Sequence, residues 1–257
     1  MKAVRFESVV VRYPHADRNA VDGVSVDVPA GSFTVLLGPS GCGKSTLLRT
    51  VNRLVIPQSG RVCVGDDDVA MQDAVALRRT IGYVIQAVGL FAHMTVAQNV
   101  AVVPSLLRWD RARIGARVEE LLTLVGLEPA RYRDRYPREL SGGEQQRVGV
   151  ARAIAAQPPV LLMDEPFGAV DAIVRRALQD EIRHIASTLN TTILFVTHDV
   201  DEALRLADRI IVMREGRIEQ QGTPEEILRT PTPYVKQIFA IDPDLRRYDT
   251  LRAALGA

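Results

Sequence analysis

Eight residues near the start of the chain carry the strongest chemical signal. Gly38-Pro39-Ser40-Gly41-Cys42-Gly43-Lys44-Ser45 matches the pattern G-x-x-x-x-G-K-[ST]. The pattern follows the short apolar strand Ser32-Phe-Thr-Val-Leu-Leu37 and opens a stretch of helical texture, the context that gives it meaning. Glycines at these positions let backbone N–H groups turn inward around phosphate oxygens, and a helix start adds the positive end of its dipole. Lys44 is expected to reach the β- and γ-phosphates, and Ser45 to place its hydroxyl on Mg²⁺. Cys42 lies inside the loop, so helix-start N–H groups and Lys44 are expected to lower its thiol pKa.

A second segment, Val160-Leu161-Leu162-Met163-Asp164-Glu165, is an apolar strand ending in two carboxylates. In P-loop NTPases the first of these sits beside Mg²⁺, the role expected of Asp164. Glu165 can face the γ-phosphate and polarise a water, a base contribution of roughly 10²–10⁴-fold. His198 follows the strand-like run Thr192–Val196, at the edge where a parallel sheet holds its ligand, and reads as a γ-phosphate contact. His15, His93 and His184 have no comparable setting and read as surface or packing residues.

Strands and helices must hold these residues. Val4–Val11 is rich in β-branched residues, and Val21, Val24, Val26 and Val28 recur at near-alternating positions, so both segments read as strands. A helix is predicted over 44–54, stopped by Pro57, and strands over 60–64 and 81–85. From 95 to 157 the texture turns helical. Ile114, Val118, Leu121, Leu122 and Val125 fall at helical spacing ahead of Gly126. Strands at 160–163, 192–196 and 209–213 then alternate with helices at 173–189 and 200–207, which argues for a parallel sheet of βαβ units. The reading is an α/β core interrupted by a helical insert at about 87–158.

Composition narrows the class. The 257 residues are 47% hydrophobic and 25% charged, which excludes disordered and collagen-like chains. Lys+Arg 32 against Asp+Glu 31 leaves a net charge of +1, without the basic footprint of a dedicated nucleic-acid binder. Cys42 and Cys63 are too few for a disulfide scaffold and fit a reducing compartment. No apolar run follows the first basic residue, so no signal peptide is expected. The uncharged stretch 80–107 is long enough to span a bilayer, but Gln86, His93, Gln98, Asn99 and Pro104 break it up, so no span is expected. Arg131-Tyr132-Arg133-Asp134-Arg135-Tyr136-Pro137-Arg138 has the interleaving of an RNA patch, yet reads as a solvated segment diluted by Asp134 and Glu139.

Leu140-Ser141-Gly142-Gly143-Glu144-Gln145-Gln146-Arg147 makes the chain, from about residue 2 to 240, resemble the ATP-binding cassette (ABC) ATPases. That resemblance implies a P-loop NTPase (RecA-like) α/β core with an antiparallel β subdomain. The core covers about 1–86 and 159–240, with a helical subdomain over 87–158 and a short tail at 241–257. It implies ATP and Mg²⁺ as cofactors. Tyr13 is expected to stack on adenine, and Gly38 to Ser45 with Thr46 to bind the nucleotide. Gln86 is expected at the metal and the catalytic centre, and Asp171 near the nucleotide. Two copies are expected to sandwich two ATP molecules, each between one copy's phosphate loop and the other's Ser141-Gly142-Gly143. Glu144 stands where Gln is commoner, and its carboxylate is expected to weaken ATP binding slightly. The loop at Asp171 also departs, reading Gly168-Ala-Val-Asp171 where Ser-Ala-Leu-Asp is commoner.

Within that family, Val51-Asn-Arg-Leu-Val55, Ile81-Gly-Tyr-Val-Ile-Gln86, Gly89-Leu-Phe-Ala-His-Met94, Arg133-Asp-Arg-Tyr-Pro-Arg-Glu-Leu-Ser141 and Phe167-Gly-Ala-Val-Asp171 resemble ATPase subunits of importers for glycine betaine, choline or carnitine. The resemblance implies a cytoplasmic, membrane-peripheral ATPase that partners integral permease subunits and, indirectly, a solute-binding protein. Nucleic acid is not an expected partner. The uncharged stretch is then expected to form the groove that receives a permease helix, with ordinary core packing as the other reading. An ABC importer ATPase for another small solute stays open, as does a non-transport ABC ATPase. The latter usually carries two cassettes or a long coiled coil; neither fits into 257 residues, which hold no heptad run, so it is the less expected reading. Larger relatives carry a CBS-domain pair after the ATPase; a chain ending at Ala257 is expected to lack it.

Overall fold

In a computed structural model the elements run as follows. The first are β1 (Val4–Val11), β2 (Val21–Val28), β3 (Phe33–Leu37), α1 (Lys44–Val51), β4 (Ser59–Val64), β5 (Asp67–Asp68), α2 (Ala74–Thr80), β6 (Ile81–Val84) and α3 (Val96–Leu106). There follow α4 (Arg111–Leu124), α5 (Pro129–Tyr132), α6 (Gly142–Ile154), β7 (Val160–Asp164), α7 (Ala172–Leu189), β8 (Thr192–Thr197), α8 (Val200–Leu206), β9 (Arg209–Arg214), β10 (Arg217–Gly222), α9 (Pro224–Arg229) and α10 (Pro233–Ile238). The structure describes residues 1–87, 89–167, 172–189 and 191–239. Two compact units emerge: a P-loop unit of 2–71 with 194 onward, and a helical unit of 72–193 with Met1.

In the P-loop unit, β1 pairs antiparallel with both β2 and β4, in the order β2-β1-β4-β5. The alternating valines of β2 explain this, since Val21, Val24, Val26 and Val28 all turn into the core. A shift in register where Ser8 and Gly23 take positive φ lets the odd spacing between Val21 and Val24 keep both on one face. β3 lies between β9 and β8 and runs parallel to β9, with Val35 opposite Ile210. All five β3 residues are buried, as an apolar run covered on both faces should be. At the start of β3, the N–H of Phe33 donates to the Asp208 carboxylate at 2.8 Å, and the Asp208 N–H returns a bond to the Phe33 carbonyl at 2.8 Å.

α1 ends three residues earlier than expected. Arg53 takes φ 55°, and the N–H groups of Leu54 and Val55 both turn back to the Arg49 carbonyl. Asn52 caps the turn by accepting from the Leu54 N–H at 3.2 Å. The helix therefore stops through a left-handed residue, with Pro57 playing no part.

In the helical unit, β6 runs parallel to β7, with Ile81 opposite Val160 and Val84 opposite Met163. The short α2 was not anticipated; its start is marked by Asp73, whose carboxylate accepts from Val75 and Ala76. Capping boxes begin α3 (Thr95 with Gln98) and α6 (Ser141 with Glu144). The far end of α6 is closed by Arg117 of α4, buried, whose guanidinium donates to the carbonyls of Ile154 at 3.1 Å and Ala155 at 3.2 Å. The uncharged stretch folds as β6, a loop and α3. Among the described residues no helix is long and apolar enough to cross a membrane.

Candidate functional site

The phosphate loop is a tight, braced turn. A Cβ on Gly43 would run into the Ala20 carbonyl oxygen, and one on Gly38 into that of Met213. Gly43 also takes φ 106°. The brace behind the loop is the β9–β10 turn. Its Gly216 N–H donates to the Cys42 carbonyl at 3.0 Å, while its own carbonyl accepts from the Asp22 N–H at 2.9 Å. Arg217 closes the brace on the Asp22 carboxylate at 2.7 Å. Bonds from Asn19 and then Arg217 hold that carboxyl below its ordinary range.

Lys44 is only 3% exposed, and its ammonium donates to the carbonyls of Gly38 at 2.7 Å and Pro39 at 2.9 Å. A buried cation is thus folded back onto the loop itself. No side chain caps the start of α1, whereas Asp73, Thr95, Asp110, Ser141, Asp199, Thr223 and Thr232 cap theirs. An uncapped helix start beside a buried ammonium is a site for an anionic group. Ser40 and Gly41 are exposed at the tip, and Ser45 and Thr46 are half-buried in the first turn of α1. Tyr13 is 45% exposed and its hydroxyl lies 3.1 Å from that of Thr46, so its ring stands beside the first turn of α1.

One expectation fails. Cys42 is 5% exposed, and burial pushes its thiol pKa up; Lys44 offsets this only in part. The loop turns the sulfur inward, and lost solvation outweighs a lysine whose charge is already shared with two carbonyls.

His198 is exposed immediately after β8. Its neighbours are held firmly: Thr197 donates to the buried Glu202 carboxylate at 2.6 Å and accepts from the Asp199 N–H at 3.0 Å. Asp199 in turn caps α8.

In the helical unit, Asp164 ends β7 at 1% exposure and accepts a bond from the Tyr83 hydroxyl at 3.3 Å. Glu165 follows, half-buried, in the left-handed region at φ 45°, where the strand ends. Gln86 is exposed just past β6. Ser141 and Gly142 are exposed at the start of α6, and a Cβ on Gly142 would meet nothing within 4 Å. Asp171 lies outside the described residues.

Glu144 does not present a loose charge. One carboxylate oxygen accepts from the Ser141 N–H at 2.7 Å and the other from the Tyr132 hydroxyl at 2.6 Å. Tyr132 first, then Ser141, holds the Glu144 carboxyl below its ordinary range. The basic run that contains Tyr132 is likewise engaged: Arg131 and Arg135 lie over its ring, Arg138 over that of Tyr136, and Arg133 pairs with Glu119 at 2.8 Å.

Two contributors escaped the sequence reading, Tyr132 and Asn99. Asn99 is fully buried; it accepts from the Phe91 N–H at 2.8 Å and donates to the carbonyls of Phe91, Met94 and Thr95 at 3.0–3.2 Å. It ties down the loop that leaves Phe91 43% exposed, while Arg152 donates to the Gly89 carbonyl at 2.7 Å behind it. The one signal for Asn99 was a polar residue one turn inside a capping-box helix.

A braced phosphate loop after a buried strand, a strand ending in two carboxylates and a Ser-Gly-Gly helix start together define a class. The ABC transporter family model matches residues 21–168, more than half of the chain, and the chain belongs to that family. It is 50% identical over 91% of its length to the glycine betaine/carnitine/choline transport ATP-binding protein OpuCA of Bacillus subtilis. It is 51% identical over 86% of its length to the glycine betaine uptake system ATP-binding protein YehX of Escherichia coli. The chain spans 63% of the length of OpuCA and 72% of that of YehX. Among solved structures it resembles the dimeric, post-hydrolysis ATP-binding cassette MJ0796 bound to ADP and Pi, at TM-score 0.77 and 31% identity, over 86% of this chain and 98% of that one. The fold is that of the ABC cassettes.

Proposed function

We propose that this chain is the ATP-binding and ATP-hydrolysing subunit of an ABC importer for quaternary-amine osmoprotectants such as glycine betaine, choline or carnitine. The observation that carries the nucleotide half of this reading is the buried Lys44 ammonium at the uncapped start of α1, in a loop too close to its brace for any side chain at Gly38 or Gly43. That arrangement fits a polyphosphate. Phosphate oxygens can take over the two carbonyl bonds of Lys44 and cap α1. A hydroxyl and a carboxylate, Ser45 and Asp164, suit Mg²⁺, since the ion draws its other ligands from phosphates and water. The solute class is supported by the relatives named above, because nothing in an ATPase subunit touches the cargo.

In this reading Tyr13 stacks on adenine, Gln86 and His198 contact the metal and γ-phosphate, and Glu165 polarises the attacking water. Ser141-Gly142-Gly143 serves the nucleotide of a second copy, as the dimeric likeness suggests. Permease subunits and, through them, a solute-binding protein complete the assembly at the cytoplasmic face of the membrane.

Glu165→Gln tests the reading. It keeps size and hydrogen bonding while removing the charge that polarises water. Hydrolysis is expected to drop by about 10²-fold or more, the size of a lost general base. With ATP bound and not turned over, the variant is expected to elute as a dimer in size-exclusion chromatography with Mg²⁺-ATP. Wild-type hydrolysis, or a monomer at saturating ATP, overturns the base assignment or the sandwich respectively.

A further inference from the structure

The Ser141-Gly142-Gly143 loop has little packing of its own. Ser141 and Gly142 are exposed, and the space around Gly142 is open for 4 Å. An exposed serine followed by two glycines is the most conformationally permissive way to begin a helix. A donor set that must meet a phosphate needs its geometry held in advance. Something beneath the loop must therefore hold it.

Two side chains one turn into α6 reach back. Gln145 donates to the carbonyls of Pro137 at 3.0 Å and Leu140 at 3.2 Å, which pins the approach to the loop. The Glu144 side chain reaches Ser141 itself, accepting from its N–H, while the Ser141 hydroxyl accepts from the Glu144 N–H at 3.3 Å and the Ser141 carbonyl from the Gln145 N–H at 2.9 Å. The carboxylate is in turn aimed by Tyr132, a buried residue on the preceding helix.

Tyr132 is itself firmly placed. Its N–H donates to the Glu128 carbonyl at 3.0 Å, and its carbonyl accepts from Arg135 at 3.1 Å. The guanidinium groups of Arg131 and Arg135 lie 5.4 and 4.9 Å from its ring centroid. The two residues after it that flank Asp134 accept the first amides of α3: Arg133 from Ala97 at 2.9 Å and Arg135 from Val96 at 2.8 Å. A chain of bonds thus runs from the start of α3 through Tyr132 and Glu144 to Ser141.

We propose that Tyr132 is a positioning residue, whose hydroxyl orients Glu144 and thereby holds Ser141-Gly142-Gly143 in the form that grips the nucleotide of a second copy. This rests on the sandwich reading above. It also gives a physical reason for a glutamate where glutamine is commoner: a carboxylate accepts both bonds, and each is strengthened by its charge. The hydroxyl acts through Glu144 and touches no nucleotide.

The test places Tyr132→Phe, which removes one oxygen and keeps the ring, in the Glu165→Gln chain. Two measurements are made: amide hydrogen exchange without nucleotide, and the ATP concentration giving half-maximal dimer. Exchange at Ser141 and Glu144 is expected to quicken while the phosphate loop is unaffected. The half-maximal ATP concentration is expected to rise about tenfold, the size of one charge-assisted hydrogen bond. In a Glu144→Ala background the same Tyr132→Phe change is expected to add nothing, whereas a general packing role would add its full effect there too. Unchanged exchange at Ser141, unchanged dimerisation, or full additivity with Glu144→Ala each overturns the proposal. A Glu165→Gln chain that stays monomeric with Tyr132 intact fails the sandwich instead, and the exchange result still decides whether the hydroxyl orders the loop.

Discussion

Lys44 is a charge that the fold has already desolvated, with two loop carbonyls as its partners. Lys44→Ala removes the cation and leaves the glycine turn and its Gly216 brace in place. ATP affinity measured by calorimetry is expected to fall by at least about tenfold, since bonds to charged groups are the strong ones; near-normal affinity overturns the phosphate assignment. Cys42, two residues earlier, lacks the setting of a reactive loop thiol, since its sulfur is buried. Burial raises its pKa, so the thiolate fraction is below that of an ordinary cysteine at neutral pH and grows only as pH climbs past the usual thiol range. Maleimide labelling of the native chain is expected to be slow at pH 7 and to accelerate with rising pH. Rapid labelling of Cys42 at pH 7 contradicts the inward-facing sulfur.

At the scale of elements, two side chains, Asn99 and Arg152, reach into the segment from Gly89 to Thr95 that leads into α3. Asn99 accepts from one N–H and donates to three carbonyls at zero exposure, so Asn99→Ala removes four part-buried hydrogen bonds at once and leaves the Phe91 N–H without its side-chain acceptor. The expected loss is about 3 kcal/mol in urea unfolding, with the Phe91-to-Thr95 segment becoming the first to be cut by protease. A loss below about 0.5 kcal/mol contradicts this account, because a surface substitution would cost as little. Because Asn99 fastens a loop that presents Phe91 to solvent, the same variant is expected to weaken co-purification with a membrane subunit. That outcome favours the groove reading of the uncharged stretch over simple core packing.

For the whole molecule, the signature loop and the phosphate loop of one chain do separate jobs in the proposed sandwich. Ser141→Arg puts bulk and charge where a second copy's γ-phosphate is gripped, and leaves Lys44 and its loop alone. In the Glu165→Gln background it is expected to abolish the ATP-induced dimer seen by size-exclusion chromatography, while ATP binding to the monomer stays within about threefold by calorimetry. Loss of both together would mean that the loop serves its own copy, contrary to the sandwich.

What could be read from residue order alone was whatever depends on neighbours in the chain. The phosphate loop was legible because eight consecutive residues set its backbone, and the strand before it and helix after it announce themselves by apolar run and period. The carboxylates at 164 and 165 were legible as the end of an apolar strand, and β1, β2, β4, β6, β7, β8 and β9 fell within a residue or two of their expected bounds, whereas the short β5 and the polar β10 carry no apolar run and were not expected. The caps Thr95 with Gln98 and Ser141 with Glu144 are equally local. Tertiary structure decided what depends on distant partners. The thiol pKa of Cys42 is raised where a lowered one was expected, because the loop buries its sulfur, and solvation is a property of surroundings that no spacing encodes. Gly43 is required by the carbonyl of Ala20, which the fold brings against it. Tyr132 gained a role only because folding set its hydroxyl on Glu144, where hydrogen bonding is sensitive to tenths of an ångström that a pattern of residue types does not carry.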